Sequence, residues 1–129
     1  MTFTETGDGS VRVDVALTGV PAGVHGFHIH EKGDCGDNGN AAGGHYNPTG
    51  APHAAPTADP HHAGDFGNVT ANAAGEVRTS FTTRSVTVSD GPITAVGHAV
   101  ILHASPDDLT TQPTGNAGAR IACGVVQRR

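Results

Sequence analysis

The sequence predicts an all-β fold, a sandwich or barrel of short antiparallel strands. Three observations predict it. Several short stretches alternate apolar and polar residues, the period-two pattern of a strand with one buried face. Turn-forming residues separate those stretches, with 19 Gly and 8 Pro in 129 residues. No segment joins helix-capping signals to a 3.6-residue apolar period.

The elements follow in chain order. Residues 1–6 and 10–18 flank Gly7-Asp8-Gly9 and read as a hairpin. In the second arm Val11, Val13, Val15 and Leu17 alternate with Arg12, Asp14 and Ala16. Residues 24–30 alternate again, with Phe27 and Ile29 on the core face. A strand over 68–71, a turn over 72–75 and a strand over 76–81 come next. Further strands are expected over 97–103 and 120–127. Residues 31–67 and 104–119 lack periodicity, and long loops of this kind in a compact domain carry function or are disordered. Four of the nine histidines fall in the first of them, which favours a loop ordered by ligands. No internal repeat or second domain is visible, so residues 1–129 read as one domain.

Composition narrows the function classes. The formal net charge is −5, and no basic cluster exists beyond Arg128 and Arg129, which argues against nucleic-acid binding. No run of about 18 apolar residues is present to cross a membrane as a helix. The first six residues do not read as a secretory signal. With 4 Phe, 1 Tyr and no Trp, the core is expected to be mainly Val, Ile, Leu and Ala. A core of that kind benefits from a cross-link or a bound metal.

The compositional outliers are 9 His and 2 Cys. Histidine is the commonest metal-ligating side chain. The count leaves Cys35 and Cys123 open as one disulfide or two free thiols. In Gly26-Phe27-His28-Ile29-His30 the two histidines share a strand face, a two-point chelate on a rigid element. By itself such a pair is a weak signal. His45, His53, His62 and Asp65 follow at spacings of eight, nine and three. Three imidazoles and a carboxylate suit a closed tetrahedral zinc site. His103 shares its parity with Ile101, opposite Val100 and Leu102, so it can join His28 and His30 from the non-core face. Three imidazoles from two strands suit copper, zinc or iron, and these residues alone do not choose.

Four motifs in order then resemble the copper/zinc superoxide dismutase family, its bacterial branch in particular. They are Gly26-Phe27-His28-Ile29-His30-Glu31, Gly43-Gly44-His45-Tyr46-Asn47-Pro48, residues 62–68 (HAGDFGN) and residues 115–124 (GNAGARIACG). The resemblance covers nearly the whole chain from Thr2. It implies a Greek-key β-sandwich or flattened barrel, immunoglobulin-like, with two long functional loops. It implies superoxide as substrate, dismutated to dioxygen and hydrogen peroxide, and one copper and one zinc per subunit. The family's copper ligands fall on His28, His30, His45 and His103, and its zinc ligands on His45, His53, His62 and Asp65. His45 would be the shared imidazolate and Arg120 the substrate-guiding arginine. Asp107 would hydrogen-bond one ligand of each metal, and Cys35 and Cys123 would form the intrasubunit disulfide. That bond implies an oxidising compartment, periplasmic or extracellular. A homodimer is open.

Two departures accompany the resemblance. The family's first strand has no counterpart before Thr2, so seven strands are expected instead of eight. The neighbouring strand would then present a free edge, a hazard for association. The loop at 109–114 also lacks the charged guides of longer members, which leaves steering to Arg120 and the metals. Lys32 reads as a solvated lysine, and His25, His61 and His98 match no ligand position. Three alternatives compete: a metal-buffering module without turnover, a copper-only relative, and an adhesion sandwich. Arg120 and the shared His45 argue against the first, and intact His53, His62 and Asp65 against the second. The third leaves the ligand pattern unexplained.

Overall fold

The structure is a computed structural model, and it describes residues 1–128; Arg129 lies outside them. Seven strands are present among the described residues: β1 (Thr2–Glu5), β2 (Val11–Leu17), β3 (Gly23–His30), β4 (Asp65–Ala71), β5 (Val77–Thr83), β6 (Ala99–His103) and β7 (Arg120–Val125). They form a three-stranded sheet, β1-β2-β5, and a four-stranded sheet, β4-β3-β6-β7. Every pairing is antiparallel. The fold is therefore the expected all-β sandwich, and the two sheets do not close into a barrel.

Period-two patterning explains why these residues form these strands. In β2, Val11, Val13 and Val15 are at most 3% exposed, while Arg12 and Ala16 face solvent. In β3 and β6, Phe27, Ile29, Val100 and Leu102 turn toward the inter-sheet core. Aliphatic residues supply most of that core, but the four Phe lie at its centre. Phe66 has ring centroids 5.7 Å from Phe27, 5.2 Å from Phe81 and 6.4 Å from Phe3. Phe3 and Phe81 come from one sheet and Phe27 and Phe66 from the other, so the cluster ties the layers together.

The opposite face of β3 and β6 is also buried. His28 and His30 are 0% and 1% exposed, and Ala99 and Ile101 pack on Ala42 of the long loop. The face expected to lie outside the core is roofed by the segments that lacked periodicity. Main-chain hydrogen bonds hold that roof: Tyr46 N–H donates to Ile29 O (2.8 Å), Gly64 N–H to Tyr46 O (3.0 Å) and Ile29 N–H to Gly64 O (3.0 Å). Any side chain at Gly64 would collide with the Ile29 carbonyl, so this close approach requires glycine.

Most strand bounds fall one to three residues from the sequence expectation; β5 runs on to Thr83 and β7 stops at Val125, and two of the shifts have a visible cause. β4 begins at Asp65, three residues before position 68, because Asp65 pairs with His28 across a bulge in β3. β6 begins at Ala99, because Gly97 has φ +87° and ends the extended run. The sandwich is open on one side. β1 and β7 are both edge strands, and between them runs a groove of 780 Å³. Its lining includes Phe3, Leu17, Phe27, Val100, Leu102 and Val126.

Candidate metal centre

His28 and His30 project from β3, His103 ends β6, and His45 arrives from the long loop at an isolated bridge to His30. These four side chains form one buried group whose nitrogens lie within 4.8 Å of one another. Three rings are anchored by their other nitrogen. His30 Nδ1 donates to Gly43 O (2.8 Å), His103 Nδ1 to Gly118 O (3.0 Å) and His28 Nε2 to the Asp107 carboxylate (2.7 Å). These partners fix the tautomers. The nitrogens left over are His28 Nδ1, His30 Nε2, His45 Nε2 and His103 Nε2.

The leftover nitrogens have the character of a ligand set. His28 Nδ1 and His45 Nε2 are buried with no hydrogen-bond partner. Such orphans are costly unless something occupies the space they face. His30 Nε2 and His103 Nε2 face each other at 3.4 Å with both protons committed elsewhere, so lone pair opposes lone pair. A shared proton is disfavoured there. Burial lowers the pKa of His28 to about 4 and of His30 to about 2, and it also lowers that of His103. Neutral imidazoles converging on one point suit a borderline or redox-active cation.

A second group adjoins the first and contains His45, His53, His62 and Asp65. Asp65 Oδ1 lies 3.0 Å from His45 Nδ1, 2.8 Å from His53 Nδ1 and 3.3 Å from His62 Nδ1. His45 Nδ1 and His62 Nδ1 are 3.2 Å apart. Three nitrogens and one oxygen are what a closed zinc site uses. Asp65 Oδ2 accepts from the amides of His62 (2.8 Å) and Ala54 (3.1 Å), which orients the carboxylate. Burial pushes the Asp65 carboxyl up, but hydrogen bonds from His45 and the Ala54 amide outweigh it and hold it at about 2. It is therefore anionic at neutral pH. His45 belongs to both groups, one ring nitrogen facing each.

Asp107 links the two sets from behind. Its Oδ2 accepts from His28 and its Oδ1 from His53 Nε2 at 2.8 Å. The triad His28, His53 and Asp107 is itself compact, but its ring nitrogens carry the protons given to the carboxylate, so it reads as hydrogen bonding. Gly115 lies so close to Asp107 and His53 that any Cβ would collide with both. Asn68 fixes Asp107 by a two-point clamp: its Oδ1 accepts from the Asp107 amide (2.7 Å) and its Nδ2 donates to the Asp107 carbonyl (3.0 Å).

Arg120 opens β7 opposite His103 and is half-buried. Its Nη1 donates to Gly39 O at 2.8 Å. Cys35 and Cys123 are bonded across a separation of 88 residues, so the loop bearing Gly39 is tied to the strand bearing Arg120. Among the remaining residues, Lys32 is exposed. His61 joins neither group and contacts the His62 carbonyl. His98 stacks on Tyr46 at 4.0 Å. His25 is buried between the carbonyls of His103 (2.8 Å) and Pro21 (2.6 Å). Sequence reasoning missed Asn68, Gln112 and the anchoring use of His25, because each acts on main chain far away in sequence.

The β-sandwich thus carries two adjoining donor sets that share one imidazole, and each set could hold a metal ion. Residues 1–126 match the family model described as copper/zinc superoxide dismutase (SODC), and the chain belongs to that family. It is also similar to a solved structure titled "Crystal Structure Analysis of the clock protein EA4". That match has 40% identity and a TM-score of 0.89, and it covers 95% of this chain and 82% of that chain.

Proposed function

We propose that this chain is a superoxide dismutase, converting superoxide to dioxygen and hydrogen peroxide. We assign copper to His28, His30, His45 and His103, and zinc to His45, His53, His62 and Asp65. The observation that carries the reading is the shared ring of His45, with a partnerless Nε2 toward one set and Nδ1 beside Asp65 on the other. When bound, copper supplies one-electron redox chemistry, and zinc supplies fixed positive charge without redox change.

The chain's own residues do the rest. His45 Nε2 can hold or release a proton within the copper set, while Asp65, beside Nδ1, keeps the ring oriented. Asp107 holds His28 and His53 in one tautomer each, which aims their free nitrogens at the two sets. Arg120, opposite His103, would supply the local positive charge that attracts a small anion on a protein of net charge −5. Its bond to Gly39 limits where the guanidinium can go. The disulfide supports an oxidising compartment, and we place the protein in the periplasm or outside the cell. We also read residues 1–129 as one domain.

A second reading has one observation behind it: the similar solved structure is titled a clock protein, so fold and identity can accompany another named role. On that reading the chain would bind copper and zinc without turnover. Metal analysis of purified protein beside a superoxide-consumption assay separates the two. Dismutation that tracks copper content supports the enzyme. Activity that survives complete copper removal would falsify the assignment, and fully loaded but inert protein favours the binding module.

A further inference from the structure

We propose that Gln112 is a positioning residue for the zinc side of the centre, holding His53 through its main chain. The inference rests on the reading of His53 as a zinc ligand. His53 sits in the long loop, outside any strand, and the main-chain bonds at Tyr46 and Gly64 do not include it. Its amide N–H donates to Gln112 Oε1 at 2.7 Å, and Gln112 Nε2 donates to the His53 carbonyl at 2.6 Å. The side-chain amide thus acts as one residue of a β-bridge across 59 positions of sequence. Among the described residues nothing else bonds the main chain of His53. Gln112 Nε2 also donates to Thr110 O at 3.1 Å, which holds the amide in its own loop.

The geometry gives this contact a purpose beyond general stability. The His53 ring must point Nδ1 at Asp65 and Nε2 at Asp107 at the same time. Asp107 fixes the outer end of the ring, and Gln112 fixes the backbone from which the ring hangs. Both come from residues 104–119. The Asn68 clamp fixes Asp107 in turn, so two side-chain amides bracket the His53–Asp107 bond. Orienting partners of this kind change metal affinity by about 10–100-fold when removed. Gln112 itself is largely exposed, so its loss opens no cavity in the core.

The test replaces Gln112 with Met, which keeps the length and removes both hydrogen bonds. Zinc retention is measured by chelator competition on the copper- and zinc-loaded protein, with amide hydrogen exchange at His53 as a second readout. The expected result is zinc binding weakened about tenfold, faster exchange at the His53 amide, and copper retained. Gln112→Glu keeps the acceptor for the His53 amide but sets a carboxylate against its carbonyl, so exchange at that amide should be intermediate. A Gln112→Met protein with lower melting temperature but unchanged zinc competition and His53 exchange would make the residue merely structural and overturn the proposal. Wild-type zinc stoichiometry separates the two levels. If the wild type binds no zinc, both readings fall; if it binds zinc and Gln112→Met binds it equally well, only this inference falls.

Discussion

The outer face of the four-stranded sheet and the seam between β1 and β7 are finished in different ways. On the outer face, polar side chains are buried and nearly every one has a partner. The rings of His28, His30 and His103 are each tied to a carbonyl or carboxylate, and loops without regular structure seal them from water. At the seam, apolar side chains line an open groove, and among the described residues the outer edges of β1 and β7 lack neighbours. Regular strands therefore do not guarantee a closed surface, and irregular loops do not imply a loose one. Closure follows from whether each group finds its complement: donor to acceptor around the histidines, apolar surface to apolar surface in the core.

The largest expected effect is at the shared ring. His45→Ala removes a donor from both sets at once, so zinc and copper contents should both fall and superoxide consumption should drop to background. Normal loading of either metal would show that His45 is not a donor to both sets. Next comes the layer beneath the histidines. Phe27 is 1% exposed and touches both sheets, so Phe27→Ala should cost about 3–5 kcal/mol in denaturant unfolding. Replacing Cys35 and Cys123 with Ser should cost about 2–5 kcal/mol, because the bond restrains 88 residues of unfolded chain. Arg120→Ala should retain both metals but turn over about tenfold more slowly, equivalent to about 1.4 kcal/mol of barrier, with a weaker dependence on salt. The smallest effect belongs to the seam: Val126 is only partly buried there, and Val126→Ala should cost about 1 kcal/mol or less. A cost near that of Phe27→Ala would show the seam to be covered in solution.

Acid should sharpen the same contrast in metal-stripped protein. His28 and His30 have pKa values of about 4 and about 2 in the fold, below the ordinary histidine value. The unfolded chain therefore takes up more protons as pH falls below about 6.5, and unfolding becomes easier. Asp65 acts in a lower window. Its carboxyl is depressed to about 2, so its contribution is present above the ordinary carboxylate value and is lost as pH falls toward 2. The melting temperature of metal-free protein should decline steadily from pH 7 to pH 4. A flat profile across that range would contradict the picture of histidines buried in neutral form.

Much of this was legible in the sequence, for identifiable reasons. Val11, Val13 and Val15 announce β2 because one face of that strand is buried and the other is not. That His28 and His30 share one face could be read because a strand repeats its facing every second residue. The count of strands led to the expectation of one free edge, but not to the groove between β1 and β7. The start of β4 was hidden, since Gly67 with φ +74° interrupts the alternation that Asp65 and Phe66 would otherwise join. Counting left the cysteine pairing open. The clamps made by Asn68 and Gln112 left no local pattern, because they bind main chain 39 and 59 residues away. His25 is likewise an unremarkable strand histidine until the carbonyls of His103 and Pro21 are seen to enclose it.

The most direct test of the shared imidazole is a crystal structure of the metal-loaded protein with anomalous maps at the copper and zinc absorption edges. The account predicts a copper peak bounded by Nδ1 of His28 and Nε2 of His30, His45 and His103. It predicts a zinc peak bounded by Nδ1 of His45, His53 and His62 and by Asp65, with the His45 ring between the two peaks. Two peaks that share no donor, or one peak with His45 turned away, would contradict it.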